Sequence, residues 1–230
     1  MKKRYAWVLA VCGLLVFCLA AGRLHAKIST SATPSAPRRP HLLIDAGHGG
    51  EDGGAIAKNG TLEKDINLKI ALPLGDILRL CGYDVTFTRT TDTAIYDPTA
   101  TTLREKKRSD MKNRLALYEQ ADGVVSIHEN HFSGTQYSGT QVFYSPNAAG
   151  SAPLAAAIRE SVVTLLQPDN KRTLKKGDDS IYLLHKTTVP AVLVECGFLS
   201  NETERKQLET TTYQQQMALA IAVGVMKGGV

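Results

Sequence analysis

Apolar runs of strand length alternate along this chain with longer stretches whose apolar residues recur at helical spacing. "HLLID" (41–45) is a continuous apolar run of the kind that forms a strand buried on both faces. "EKDINLKIALPLGDILRLCG" (63–82) has helical periodicity and closes on Gly82, with Pro73 predicting a kink or a late start. "YDVTFTR" (83–89) alternates as a strand does, residues 91–106 are polar and irregular, and "SDMKNRLALYEQAD" (109–122) predicts a second helix. "GVVSIH" (123–128) is another buried strand, and "GTQVFYSP" (139–146) alternates like an edge or paired strand. "SAPLAAAIRESVVTLLQ" (151–167) is a helix with Pro153 in its first turn. "IYLLH" (181–185) and "PAVLVECG" (190–197) predict two short strands, and the tail from 201 to 228 predicts one short helix and one longer one. Val-, Ile- and Leu-rich strands separated by helices predict an α/β sandwich with a mostly parallel central sheet.

The N-terminus has a different pattern. "MKKR" precedes an unbroken apolar run, residues 5–22, and "LHA" ends at Ala26 as a small-residue cleavage site. Residues 1–26 are therefore a secretory signal peptide or an uncleaved single-span anchor, and the rest of the chain works outside the cytoplasm. Val11 and Phe17 precede Cys12 and Cys18, where a lipoprotein signal needs a small residue. "KISTSATPSAPRRP" (27–40) has almost nothing to bury and predicts a disordered linker. That leaves residues 41–230 as one catalytic-size domain.

Separating the leader changes the meaning of the charge. Residues 1–40 hold seven of the 27 Lys/Arg and none of the 22 Asp/Glu, so the remainder carries 20 basic against 22 acidic side chains. The overall pI near 9 belongs to the leader, and the folded part lacks the net basicity expected of a nucleic-acid-binding domain. Outside the leader only Cys81 and Cys196 remain; both sit in apolar contexts and predict two buried free thiols, or a disulfide if the fold brings them together.

In open α/β sheets ligands bind beyond the carboxyl ends of the strands. Three strands here end in residues that can bind metal: His48 after "HLLIDAG", His128 in "GVVSIH", and Glu195 in "PAVLVE". Glu63 follows the glycine-rich segment, just before the first helix. That segment is not a dinucleotide fingerprint, because Asp52 stands where the third glycine would be. Taken singly, a strand-end histidine or a glutamate at a helix start has ordinary explanations. Glu195 does not, since an unpaired acid at the end of a buried strand is costly. Two histidines and a carboxylate make a set that suits zinc better than the all-oxygen shells of magnesium or calcium. His185, ending "IYLLH", is a weaker candidate for orienting substrate, and His41 and His131 are read as non-ligands.

Four spaced blocks, "LLIDAGHGGEDGGA", "LEKDINL", "VVSIHENHF" and "PAVLVECGFLSNETE", resemble the motifs of the zinc-dependent N-acetylmuramoyl-L-alanine amidases of type 3, in that family's order. The resemblance covers residues 41–228 and implies a phosphorylase/hydrolase-like sandwich, one zinc held by His48, Glu63 and His128, and Glu195 as catalytic acid/base. It implies hydrolysis of the amide between the muramic acid lactyl group and L-alanine in peptidoglycan. Residues 88–114 and 169–201 are also similar to the germination-specific amidases of spore formers. That likeness implies removal of stem peptides from the spore cortex for muramic-δ-lactam formation. A general wall autolysin, or a zinc peptidase acting on wall peptides, could use the same ligand types. The chain departs from the family at Glu129, where a small or apolar residue is usual; strand alternation points it away from the metal, as a structural or rim residue, the alternative being a contact with substrate. The implied partner is peptidoglycan, not nucleic acid, and the membrane enters only through an uncleaved leader.

Overall fold

The computed structural model describes residues 38–229; the leader and most of the linker expected above lie outside them. A six-stranded sheet runs in the order β2-β1-β3-β6-β4-β5. Its strands are β1 (His41–Ala46), β2 (Asp84–Phe87), β3 (Gly123–Asn130), β4 (Gln141–Tyr144), β5 (Lys175–Lys176) and β6 (Ala191–Phe198). β1 pairs in parallel with β2 and β3, and β3 with β6, whereas β4 lies antiparallel to β6. The helices are α1 (Glu63–Leu80), α2 (Leu103–Tyr118), α3 (Ser151–Leu165), α4 (Tyr182–Lys186), α5 (Glu202–Leu208) and α6 (Thr211–Gly228).

Strand alternation divides the core into two layers around the sheet. Leu42, Ile44 and Ala46 point to one face and pack with α1, α3 and α6 through residues such as Ile70, Leu74, Ile158 and Ile221. Leu43 points to the other face and joins Tyr118 of α2, Leu183 and Leu184 of α4, Val124 and Leu193. The result is the expected three-layer, mostly parallel sandwich.

Four local expectations are corrected. α1 runs unbroken through Pro73 and starts at Glu63, so there is no late start. α2 begins six residues earlier than the periodicity predicts, because Thr102 and Glu105 form a capping box: the Thr102 hydroxyl accepts from the Glu105 N–H, and the Glu105 carboxylate accepts from the Thr102 N–H. "IYLLH" contains the short helix α4, not a strand; five residues are too few for periodicity to decide. Cys81 is exposed at the end of α1 while Cys196 is buried, and both are free thiols.

Candidate metal centre

The loop after β1 turns back over the sheet edge at His48, the one non-glycine residue with positive φ (61°) among the described residues. This left-handed conformation is uncommon for a residue bearing a Cβ and persists only where the surroundings enforce it. Two buried arginines do so. Arg89 donates to the carbonyls of Ala46 and Gly47, at 2.9 Å each. Arg114 donates to the carbonyl of Ala46 at 3.0 Å and to that of His48 at 2.6 Å. The Gly47 N–H donates across to Ile127 of β3, at 3.0 Å.

Arg114 is held in turn by Asp45, the last acid of the apolar run. Asp45 is fully buried and accepts from Arg114, from the Tyr118 hydroxyl (2.6 Å), from Ser126 Oγ (2.7 Å) and from Thr88 Oγ1 (2.9 Å). Burial alone would raise its pKa; the Arg114 charge and the hydroxyl donors outweigh that and hold the carboxyl well below its usual range.

Glu63, the first residue of α1, projects toward the loop. Its Oε2 accepts from the Ala55 N–H at 2.8 Å and its Oε1 from the Glu129 N–H at 3.1 Å. That same Oε1 lies 2.9 Å from His128 Nδ1 and 3.2 Å from His48 Nε2. His48 Nδ1 faces Asp52 Oδ2 at 3.0 Å, an outer carboxylate that fixes the ring and leaves Nε2 for the centre. Ligand atoms of His48, Glu63 and His128 all lie within 4.8 Å of one another.

The cluster is electrostatically matched to a cation. Burial opposes charge on His48, yet the bonds to Asp52 and Glu63 carry its pKa up to about 9. Burial would likewise raise Glu63, but the two histidines hold it far below the ordinary carboxylate range. Two imidazoles and a carboxylate facing one point are the donor set that suits a divalent ion such as zinc. Space is as tight as charge: a Cβ on Gly47 would fall 2.3 Å from the His128 ring, and one on Gly54 (φ 67°) would fall 2.5 Å from Glu63 Oε2.

Glu195 stands opposite His128 in the β3–β6 pairing, with its Oε2 buried and without a hydrogen-bond partner. Burial, reinforced by the Glu63 charge and opposed by the histidines, raises its pKa to about 7. Glu129 is not a rim residue. It is 3% exposed, neither carboxylate oxygen makes a well-formed hydrogen bond, and burial beside Glu63, Glu195 and Glu204 pushes it well above the usual range. His185 is exposed on α4 and is not gathered at the centre. The His41 ring nitrogens meet the Gln120 carbonyl and Thr86 Oγ1 at the opposite end of β1, and His131 is exposed beyond β3. Sequence reasoning missed Asp52, Arg89 and Arg114. The one signal available was Asp45, an acid closing an apolar strand, which demands a buried cation.

A family model described as N-acetylmuramoyl-L-alanine amidase matches residues 42–227. The germination-specific N-acetylmuramoyl-L-alanine amidase of Bacillus subtilis is 29% identical over 230 residues, covering 99% of this chain and 96% of that protein. Among solved structures, the CwlD amidase of Clostridioides difficile, in complex with the GerS lipoprotein, is 41% identical. It superposes with a TM-score of 0.79 over 83% of this chain and 98% of that one. The amidase AmiC2 of Nostoc punctiforme is 29% identical, with a TM-score of 0.71 over 84% of this chain and 98% of that one.

Proposed function

The chain belongs to the N-acetylmuramoyl-L-alanine amidase family, hydrolases of peptidoglycan, and from that premise we propose that His48, Glu63 and His128 hold a catalytic zinc ion and that Glu195 is the acid/base. The observation that carries the reading is the convergence of three ligand atoms within 4.8 Å, beside a half-buried acid in register with one of them. Zinc held there would supply Lewis acidity to the amide carbonyl and to the attacking water. The remaining work falls to the chain's own groups. Asp52 fixes the His48 tautomer, and the Ala55 and Glu129 N–H groups orient Glu63. Glu195, with its pKa near 7, takes the proton of the water and delivers it to the departing L-alanine nitrogen.

The bond broken joins the muramic acid lactyl carbonyl to L-alanine, and the work is done outside the cytoplasm, on the cell wall. We place that work in the spore cortex, where stem-peptide removal precedes lactam formation. The similarity to a germination-specific amidase supports this. Mass spectrometry of purified cortex and vegetative peptidoglycan after incubation, with and without chelator, tests each part. The reading expects free lactyl carboxylates and intact stem peptides beginning with L-alanine, lost on chelation. Cuts within the peptide would instead identify a zinc peptidase, and equal action on both walls would identify a general autolysin.

A further inference from the structure

Helix α2 carries its charges against its own dipole. A helix N-terminus is partially positive and is stabilised by acidic residues, not basic ones. Yet Arg104, Lys106, Lys107 and Arg108 crowd the start of α2, Glu105 is the only acid of its first turn, and its last turn has no basic residue. Two of the four cations are accounted for: Lys106 reaches Glu51 at 2.8 Å and Lys107 reaches Asp52 at 3.8 Å. Arg104, Arg108 and Lys112 recur every fourth residue on one face. All three are exposed, and none forms an ion pair among the described residues.

These three line a cleft of about 1140 Å³ together with Tyr182, 41% exposed at the start of α4, and two acids, Asp97 and Glu105, the latter occupied by the Thr101 and Thr102 N–H groups. Leu103 and Lys107 line this cleft and also a smaller one of about 210 Å³ that reaches Glu51 and Asp52. Asp52 is the carboxylate bonded to His48. The basic cleft therefore neighbours the rim of the metal loop, the two sharing the side chains of Leu103 and Lys107. Leu103 is 73% exposed there, an apolar side chain left in water at the mouth of a charged groove.

We propose that this cleft is the stem-peptide subsite, binding the free carboxylates of the peptide arm that departs with L-alanine. The inference rests on the amidase reading above. A neutral glycan offers such cations nothing to recognise, whereas a peptide arm carrying carboxylates matches them in sign. Arginine forks hold carboxylates in bidentate pairs and lysine adds a point charge, while Leu103 and Tyr182 give the arm an apolar wall. Concentrating positive charge at one place on a domain of slightly negative net charge focuses the field where the arm must lie. The unfavourable dipole is then a stability cost retained for binding.

The test uses the full chain loaded with zinc and two soluble muramoyl peptides, identical except that the stem carboxylates are free or amidated. Wild type should favour the free-carboxylate substrate in kcat/KM by about tenfold at low salt, and the preference should shrink toward ~0.5 M salt. The R104A/R108A/K112A variant should close that gap through KM, and R104K/R108K, which keeps the charge but loses the forks, should keep part of it. Equal turnover of both substrates by wild type would overturn the proposal. So would a triple variant that slows both alike, the result expected if the cleft takes another polyanion or a lipid headgroup. Circular-dichroism melts identify a misfolded variant, in which case R104A and K112A singly are held to the same criterion. Wild type cleaving neither substrate would instead refute the amidase reading itself, and the subsite with it.

Discussion

Glu195 lies directly across from His128 in the parallel ladder of β3 and β6. Opposed residues on neighbouring strands project from the same face, so the proposed proton carrier and one ligand are spaced by the sheet itself. A one-residue slip of either strand would send one of them to the opposite face, and the ladder from Val124–Ala191 to His128–Glu195 forbids it. His48 is different. It arrives on a loop, and its geometry depends on Arg89, Arg114 and the glycines beside it.

Gly47→Ala should therefore disable the centre without touching a ligand. The added Cβ would stand 2.3 Å from the His128 ring, closer than any tolerated contact, so the ring must swing out. We expect zinc content and activity to collapse together while the far-UV spectrum stays native. Full zinc occupancy in this variant would show that the loop has more room than the structure gives it.

Arg114→Ala should destabilise the fold by about 3–5 kcal/mol, the scale for leaving a buried partner charge uncompensated. The low end is expected, because Tyr118, Ser126 and Thr88 still donate to Asp45. The same pair sets acid stability. Asp45 has a depressed pKa in the fold, so its contribution is complete above the ordinary carboxylate value near 4. That contribution drains away as pH falls further toward the folded value. Urea melts from about pH 6 to pH 2 should show a steeper loss for wild type than for Asp45→Asn, which has no such proton to take up; parallel curves would remove Asp45 from the account.

Much of this architecture is legible in the residues because strands bury both faces and helices one. β1, β3 and β6 stand out as apolar runs, and the residues closing them fall together once the sheet is known to be parallel. What is not legible has physical causes. A five-residue run such as Tyr182–Lys186 fits helix and strand alike. The true start of α2 is decided by the reciprocal Thr102–Glu105 cap inside a stretch too polar to show periodicity. Asp52 and Arg89 act through turns and carbonyls, which no hydrophobic pattern encodes.

Residues 39–230 should fold, stay soluble and bind zinc without the leader and most of the linker. Within this region the Pro40 carbonyl accepts from the Asp84 N–H at 3.0 Å, and among the described residues the apolar core begins at Leu42. Purification of this fragment and a reversible melt test it; an aggregated product would mean that the preceding segment has a folding role.

Metal loss should be readable without any assay of hydrolysis. An ion bound to the native state alone raises stability by about 2.7 kcal/mol at 100 times its dissociation constant. Adding zinc to chelated wild type should therefore raise the melting temperature by several degrees, and His48→Ala, Glu63→Ala or His128→Ala should each abolish the shift. A variant that keeps the full shift loses its claim to be a ligand.

Glu195→Gln should keep the metal and the fold and lose the chemistry. The side chain is half-buried, its Oε2 is enclosed without a partner, and its pKa is raised to about 7, the range in which a carboxyl can both take and return a proton near neutrality. Glutamine preserves volume and a hydrogen-bonding carbonyl but cannot accept the water proton. It also removes an acid whose Oε2 is buried without a partner, so stability should hold or rise. A positioned acid/base group contributes typically ~10²–10⁴-fold, and stem-peptide release should fall by that amount with zinc content near wild type. Two other outcomes have distinct meanings. If release stays near normal, Glu195 is structural, and Glu129, a buried acid beside Glu63, becomes the next residue to test. If zinc is lost with activity, Glu195 is a fourth ligand, and the open position that the mechanism needs for water and carbonyl is not there.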